Sequence, residues 1–169
     1  MASSSSSATL DRKLSGREVL AWRGMLRTHA AVTKQLDSEM LSAHGISLSS
    51  YEVLLHLDGA DDGHMRMCDL AELAVLSRSG LTRLVDRLAR EELLVRESCA
   101  SDARGAFARL TDAGRERLAE ARPTHLEGVR RVFLGHLNAE EQQALAECWA
   151  KVLPAAEVAD AGECCGEAA

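Results

Sequence analysis

The chain has 169 residues, of which 46% are apolar, 27% charged and only 3% aromatic, and its formal net charge is −6. So few aromatic residues leave Leu, Val and Ala to build the core, which favours packed helices over a β-sandwich. The sequence has no apolar stretch near 18 residues and no secretory leader pattern, so we expect neither a membrane protein nor a secreted one.

The net acidity would argue against a nucleic-acid partner if it were evenly spread, but it is not. Residues 76–111 hold seven arginines against five acidic residues, a balance of +2. Residues 112–169 hold six basic residues against eleven acidic ones, a balance of −5. The middle of the chain is therefore a basic segment in an acidic protein.

The cysteines bear on the cellular compartment. Five are present, an odd number, and their spacing does not resemble a disulfide framework. We therefore expect a reduced, cytoplasmic protein. Cys148 is expected in the core, and the adjacent Cys164 and Cys165 in an inert tail.

The N-terminal end begins with a polar, serine-rich tail over residues 1–14, for which we expect disorder. A long first helix follows from Ser15 towards Gly45, because apolar residues recur at three- and four-residue steps. Ser15 and Glu18 form a capping-box pattern at its start, and Gly45 stops it. A helix of this length is rarely buried fully in a small monomer, so we expect it to pack against a partner.

Two shorter helices come next. Ser47 begins the second, which ends in a loop over residues 58–63, and the third runs from Cys68 to about Val75. Met67 stands where a serine or threonine would cap the third helix better, so this cap is expected to be weak. A tight turn then leads to the fourth helix.

The fourth helix, Ser77 to Arg90, is the most informative segment. Apolar residues at i, i+3, i+4 and i+7 predict one stripe that packs on a core, namely Leu81, Leu84, Val85 and Leu88. The remaining flank is short, polar and positive, and it carries Arg78, Ser79, Thr82, Arg83 and Arg87. We expect this flank to face outward.

The period then changes from helix to strand. Residues 94–96 and 106–110 predict two strands joined by a turn over 99–105, whose tip holds Asp102 and Arg104. This pattern is typical of a β-hairpin.

Two further helices complete the chain. The fifth begins at the Thr111 cap and contains Pro123, which should kink or divide it. The sixth begins at the Asn138 cap, and an acidic tail over 154–169, expected to be disordered, follows it. Its apolar stripe consists of Leu145, Cys148, Trp149 and Val152.

Together these elements predict a mainly α fold with a small β-hairpin wing, a winged helix-turn-helix with long dimerisation helices. An α-helix fits the major groove of B-DNA, and arginine matches two acceptors of guanine. An arginine at a hairpin tip is attracted into the minor groove. We divide the chain into a DNA-binding lobe over 46–111 and a helical dimerisation region over 15–45 and 112–153.

Three segments in this order closely resemble the MarR family of winged helix-turn-helix regulators. They are residues 81–88 (LTRLVDRL), 102–104 (DAR) and 110–114 (LTDAG), which are similar to that family's T-R-x-V-D-R-L, D-x-R and L-T-x-x-G motifs. The resemblance extends over roughly Ser15 to Leu153.

The resemblance implies a homodimer, held together by the first, fifth and sixth helices, that represses transcription from a near-palindromic operator in double-stranded DNA. Independently of the resemblance, we expect Asp86 to pair with an arginine rather than with DNA, because a carboxylate repels phosphate. The DNA-binding residues that it implies are Ser79, Gly80, Thr82 and Arg83 at bases of the major groove, Arg78 and Arg87 at phosphates or bases, and Arg104 in the minor groove with Asp102 bracing the wing by a salt bridge.

The sequence departs from the family pattern in and before the wing. Ala103 stands where a second arginine is common, which removes one expected contact. Glu91 and Glu92 replace the more usual Glu-x-Gly, so a glycine suited to a left-handed backbone conformation is missing.

Regulators of this family often bind a small aromatic or amphipathic acid. The resemblance therefore implies an effector pocket between the dimer helices and the DNA-binding lobe. For Trp22, however, core or dimer packing is the preferred interpretation, and a place in the pocket wall is the alternative. The candidate lining residues are Trp22, His29, Tyr51 and His56, with Arg23 or Arg27 opposite a carboxylate.

Two other functions stay open. The net acidity and Ala103, in place of a second wing arginine, keep open a winged-helix module that binds protein and has lost DNA binding. An enzyme is disfavoured, because no nucleophile with a base partner, glycine-rich phosphate loop or carboxylate pair stands at motif spacing. The six histidines lack i, i+3 and i, i+4 pairing, so we expect no metal site, and we expect no cofactor.

Overall fold

A computed structural model describes residues 13–98 and 106–153 of the chain. This part contains six α-helices, three β-strands and two short 3-10 turns, at Asp61–Gly63 and Leu134–His136. In chain order the helices and strands are α1 (Gly16–His44), α2 (Leu48–Gly59), β1 (His64–Arg66), α3 (Met67–Leu73), α4 (Arg78–Arg90), β2 (Leu94–Ser98), β3 (Ala106–Leu110), α5 (Asp112–Val132) and α6 (Ala139–Val152).

The predicted helix ends are confirmed where the capping chemistry is strong. The Ser15 N–H donates to the Glu18 carboxylate at 2.7 Å, and the Glu18 N–H donates back to the Ser15 hydroxyl at 3.3 Å. Gly45 ends α1 in the left-handed conformation at φ 69°, and its N–H donates to Leu41. The N-cap of α3 is Arg66 and not Met67, which is the first residue of the helix. Arg66 makes no side-chain bond to the helix, so the cap is weak as expected.

The wing is a three-stranded antiparallel sheet rather than the predicted hairpin alone. Its strand order is β1-β3-β2, with His64 opposite Arg109 and Leu94 opposite Leu110 in the register. The prediction placed residue 64 after a loop and missed β1, because three residues are too short for an alternating pattern to emerge. Pairing with β3, more than forty residues later, makes this segment a strand.

One hydrophobic core fills the space between α2, α3, α4 and the inner face of the sheet. We call this region, residues 46–98 and 106–111, the central lobe. Its largest fully buried apolar side chains are Tyr51, Val53, Leu54, Leu57, Leu70, Leu81, Val85, Leu88 and Leu94. Leu36 and Met40 of α1 and Leu118 and Ala121 of α5 extend the same core.

Helix α5 follows β3, and its first turn lies very close to the backbone that precedes β2. The helix then packs along α1. A Cβ atom at Gly114 would lie 2.0 Å from the carbonyl oxygen of Leu93, so only glycine fits at this crossing. Helix α5 continues through Pro123, so of the two predicted outcomes, a kink or a division of the helix, the division is wrong. Burial of Ala121 and Gly128 on either side of Pro123 holds the helix against the rest of the molecule.

The N-terminal half of α1 and the whole of α6 contribute little to this core. We call residues 16–31 together with α6 the terminal helices. None of their residues is buried, and Leu20, Trp22 and Val152 are 75%, 54% and 72% exposed. Cys148 is also exposed, so its predicted place in the core is wrong for a single chain. Within the described ranges, no helix is long and apolar enough to cross a membrane.

Three residues other than glycine adopt a positive φ in the described part of the chain: Asp62 at 54°, Val75 at 50° and Glu92 at 60°. Glu92 lies in the segment where the sequence lacks the glycine of the family pattern, and it adopts the left-handed conformation without that glycine. The conformation costs a residue with a Cβ atom about 1–2 kcal/mol relative to the right-handed region.

Candidate nucleic-acid interface

Helix α4 is held against the central lobe by its apolar stripe. The Ser77 hydroxyl accepts a hydrogen bond from the Gly80 N–H at 3.1 Å, which caps the helix. Leu81, Val85 and Leu88 are at most 1% exposed, so the predicted buried face is confirmed for these three residues. The remaining flank of the helix is therefore turned away from the core.

The outward flank carries the polar residues that the sequence analysis singled out. Arg78, Ser79 and Arg83 are exposed, whereas Gly80 and Thr82 are half-buried. The Thr82 hydroxyl donates to the Arg78 carbonyl at 2.9 Å, and the Arg83 Nε donates to the Ser79 carbonyl at 3.3 Å. The Arg83 bond uses one of the five N–H donors of the guanidinium. The arrangement presents cationic and hydroxyl groups along one exposed face.

Arg87 connects α4 to the beginning of α2. Its guanidinium donates to the Ser50 hydroxyl at 2.7 Å and to the Ser47 hydroxyl at 3.3 Å. Ser50 is only 1% exposed, so this contact reaches the edge of the core. The sequence pointed to phosphates or bases for Arg87 and gave no sign of these two serines, which lie about forty residues earlier.

Asp86, the neighbour of Arg87, connects α4 to the wing. Its carboxylate accepts a hydrogen bond from Arg96 of β2 at 3.2 Å, which confirms the expectation that Asp86 is the partner of an arginine. Arg90 donates to the Asp86 carbonyl at 3.1 Å. Two adjacent residues of α4 thus fix the helix to different neighbours, α2 and β2.

The outer face of the sheet carries a second set of charged and aromatic side chains. Glu97 accepts a bond from Arg109 at 2.7 Å and lies 3.4 Å from His64. The hydrogen bond from Arg109 is the main cause that lowers the pKa of Glu97. The ring of His64 stacks on Phe107 with centroids 4.5 Å apart, and Arg66 lies 5.3 Å from the same ring.

The hairpin tip, residues 99–105, lies outside the described residues. The expected places of Asp102 in the wing and of Arg104 in the minor groove therefore stay predictions.

The six residues predicted for an effector pocket fall into two groups. Four are exposed on α1, namely Trp22, Arg23, Arg27 and His29. Tyr51 and His56 lie on α2, where Tyr51 is buried and His56 half-buried. Because the α1 group faces solvent in a single chain, it can enclose a pocket only with a second chain.

A polar group that the sequence analysis missed lies between α2 and α5. The His125 ring lies 4.5 Å from the Tyr51 ring, and its buried Nδ1 has no hydrogen-bond partner among the described residues. Burial lowers the pKa of His125. Nearby on α2, burial raises the pKa of Glu52, and His29 partly offsets this effect. No periodic pattern could have paired Tyr51 with a residue 74 positions later.

A groove of about 760 Å³ follows α5 beside the end of α2. Arg115 and Arg122 on its rim lie 3.0 and 3.7 Å from Asp58, and Leu118 and Leu126 contribute to its apolar lining. None of the six predicted effector residues lines this groove. In the described part of the chain, no group of three or more His, Cys, Asp or Glu residues is placed to hold a metal ion.

Comparison with known proteins gives consistent matches to one family of regulators. The sequence model described as "MarR family" matches residues 44–105. The crystal structure of AbsC, a MarR family transcriptional regulator from Streptomyces coelicolor, is 35% identical with a TM-score of 0.76, and the match covers 83% of this chain and 95% of AbsC. Sco3205, a MarR family regulator from the same organism solved in complex with DNA, is 33% identical with a TM-score of 0.78, and the match covers 85% of this chain and 93% of Sco3205. The uncharacterised HTH-type regulator YkoM of Bacillus subtilis is 32% identical over 102 residues, which are 60% of this chain and 64% of YkoM.

Proposed function

The chain belongs to the MarR family of transcriptional regulators, and from this premise we propose that it is a dimeric, ligand-responsive repressor of a near-palindromic operator. Its relatives are transcriptional regulators and not enzymes. Sco3205, which shares a third of its residues with this chain, was solved with DNA bound. Because a repressor must reach the chromosomal DNA that it binds, we assign the protein to the cytoplasm.

The exposed flank of α4 is the observation that carries the proposal. Leu81, Val85 and Leu88 anchor the helix, and Arg78 and Arg83 project from its free side. A helix presented in this way fits the major groove, where an arginine can bind guanine through two hydrogen bonds. Ser79, Gly80, Thr82 and Arg83 are the proposed base-reading residues, with Arg78, Arg87, Arg104 and Asp102 supporting the backbone and minor-groove contacts.

Dimerisation is supported by the apolar surface of the terminal helices. Leu20, Trp22 and Leu26 on α1 and Trp149 and Val152 on α6 are each at least 36% exposed. Large exposed apolar surfaces on soluble proteins usually mark an interface. A second copy is the occupant that we propose, because a two-fold axis would place two α4 helices in successive major grooves, about 10 base pairs apart.

The proposed effector is a small aromatic or amphipathic acid. Trp22, Arg23, Arg27 and His29 face solvent on α1, where a second chain could close them into a pocket with Tyr51 and His56. An acid bound there would release DNA if it fitted better between two lobes spaced wrongly for the operator.

The test uses duplexes selected by the full chain from a random library. Affinity for the selected duplex is then measured against salt for the wild type, Arg83→Ala and Thr82→Ala. Arg83→Ala should lose about 1–3 kcal/mol of binding free energy. Thr82→Ala should relax the sequence choice, and Arg104→Ala should weaken binding and lower the salt slope by about one.

Arg130→Ala is the matched control, because Arg130 is an exposed arginine on α5, away from α4. It should bind like the wild type. If Arg83→Ala and Thr82→Ala also bind the selected duplex like the wild type, the interface is assigned to the wrong surface.

A further inference from the structure

The turn between α3 and α4 contains a valine in a conformation that valine rarely adopts. Val75 has φ 50°, in the left-handed region. The turn is closed by a hydrogen bond from the Leu76 N–H to the Ala71 carbonyl at 2.9 Å and one from the Val75 N–H to the Glu72 carbonyl at 3.1 Å. This bonding pattern ends a helix with a left-handed residue, a position that glycine usually fills. A β-branched side chain there is a genuine strain.

Val75 is also exposed to a degree that no packing explains. Its exposed fraction is 89%, the highest among the large apolar residues of the described chain that face solvent. The others lie on α1, on α6 or immediately beside them, where a second chain would cover them; they are Leu14, Leu20, Trp22, Leu26, Leu41, Trp149, Val152 and Leu153. Val75 is the exception, because it lies within the central lobe.

The location of Val75 suggests what its side chain contacts. It stands two residues before Ser77, the N-cap of α4, and lines a cleft of about 480 Å³ together with Ser77 and Arg78. Glu72 lines the same cleft and would repel a phosphate. The major groove holds one apolar group at the base edges, the 5-methyl group of thymine, which suits a branched apolar side chain.

We propose that Val75 is a specificity-determining residue that packs against a thymine 5-methyl group in each half of the operator. This inference rests on the proposed function, since it requires α4 to enter the major groove. The residue contributes an apolar contact at the entry of the reading helix, and the strain of its backbone is retained because glycine would remove the side chain.

The experiment removes the methyl group and the valine separately. Each thymine of the selected duplex is replaced in turn by deoxyuridine, which differs only by the missing methyl. The wild type should lose about fourfold in affinity at one thymine of each half-site, the factor expected for one methyl group leaving an apolar contact. Val75→Gly should bind the thymine and deoxyuridine duplexes equally well, and it should melt at a higher temperature than the wild type.

Glu92→Gly is the matched control, because it also replaces a left-handed residue by glycine and relieves similar strain. It should gain stability and keep the wild-type response to deoxyuridine. The inference is overturned if Val75→Gly keeps that response, or if the wild type binds the duplex and ignores every deoxyuridine. Failure of the wild type to bind any duplex would instead overturn the proposed function, and this inference with it.

Discussion

The central lobe and the terminal helices both carry apolar stripes, but the stripes are buried in the central lobe and exposed on the terminal helices. In the central lobe, Leu54 and Val85 are completely buried by neighbours from the same chain. On the terminal helices, Leu20 and Val152 remain 75% and 72% exposed. The same periodic pattern thus leads to a finished core in one region and to an open surface in the other. The difference teaches that periodicity identifies a face to be covered and not the chain that covers it.

The largest effect should come from a leucine of the finished core. Leu54→Ala removes a completely buried side chain and should lower the free energy of unfolding by about 2–5 kcal/mol. Because all neighbours of Leu54 belong to its own chain, the loss should be the same at low and high protein concentration. Urea unfolding at two concentrations a hundredfold apart measures it.

Leu20→Ala is the matched control for this comparison, since it makes the same chemical change on an exposed residue of α1. If a second copy covers α1 as proposed, the effect of Leu20→Ala should depend on protein concentration. A concentration-independent loss for Leu20→Ala as large as that of Leu54→Ala would remove the distinction between the two regions.

A smaller effect is expected from the open surface itself. Trp149→Ala truncates the largest side chain of α6, and large aromatic residues dominate interface energies. We expect a weakening of the dimer by about 2 kcal/mol, which is roughly a 30-fold higher dissociation constant. Sedimentation equilibrium measures the constant directly.

Gln143→Ala on the same helix is the control, because the side chain of Gln143 bonds to Glu147 within α6 at 3.0 Å. It should leave the dimer intact. A wild-type chain that sediments as a monomer at micromolar concentration would contradict the proposal that a second copy covers the terminal helices.

The smallest effect concerns the boundary where the central lobe meets α5. Burial lowers the pKa of His125 below its ordinary value of 6.5, so the folded chain binds fewer protons than the unfolded chain as the pH falls below 6.5. The neutral His125 side chain therefore contributes its full stability above pH 6.5. This contribution declines as the pH falls below 6.5 towards the lowered pKa of the folded state. His125→Phe should keep the ring contact with Tyr51 and abolish this decline.

Urea unfolding of the wild type and His125→Phe at pH 7.5, 6.5 and 5.5 measures the difference in stability between them. Glu52 titrates in both proteins, and its raised pKa makes its burial more costly as the pH rises above 4.5, so the difference isolates the histidine. A difference between wild type and His125→Phe that is constant with pH would contradict the argument.

Local chemistry explains which features could be predicted from the sequence. The caps at Ser15, Ser77 and Asn138 bond to N–H groups three residues later, so a short window contains all the information. The buried stripe of α4 likewise follows from one helical period.

The features that could not be predicted depend on pairing between distant segments. Three residues of β1 become a strand only because β3 lies beside them. Arg87 contacts Ser50 only because α4 packs on α2. No repeat in the sequence indicates that these two residues, 37 positions apart, lie together. The same holds for the contact of His125 with Tyr51, and for Cys148, which is exposed although its apolar stripe predicted a place in the core.

The short strand β1 has a mechanical consequence. Strand β1 connects directly to α3 and pairs with β3. It therefore links the hairpin to the helix-turn-helix formed by α3 and α4. A tilt of the hairpin must therefore move that segment as well. Neither part can move alone without breaking the hydrogen bonds between β1 and β3. If α4 and the hairpin both contact a duplex, they would therefore leave it together. Dissociation from DNA would then follow a single exponential in a stopped-flow experiment.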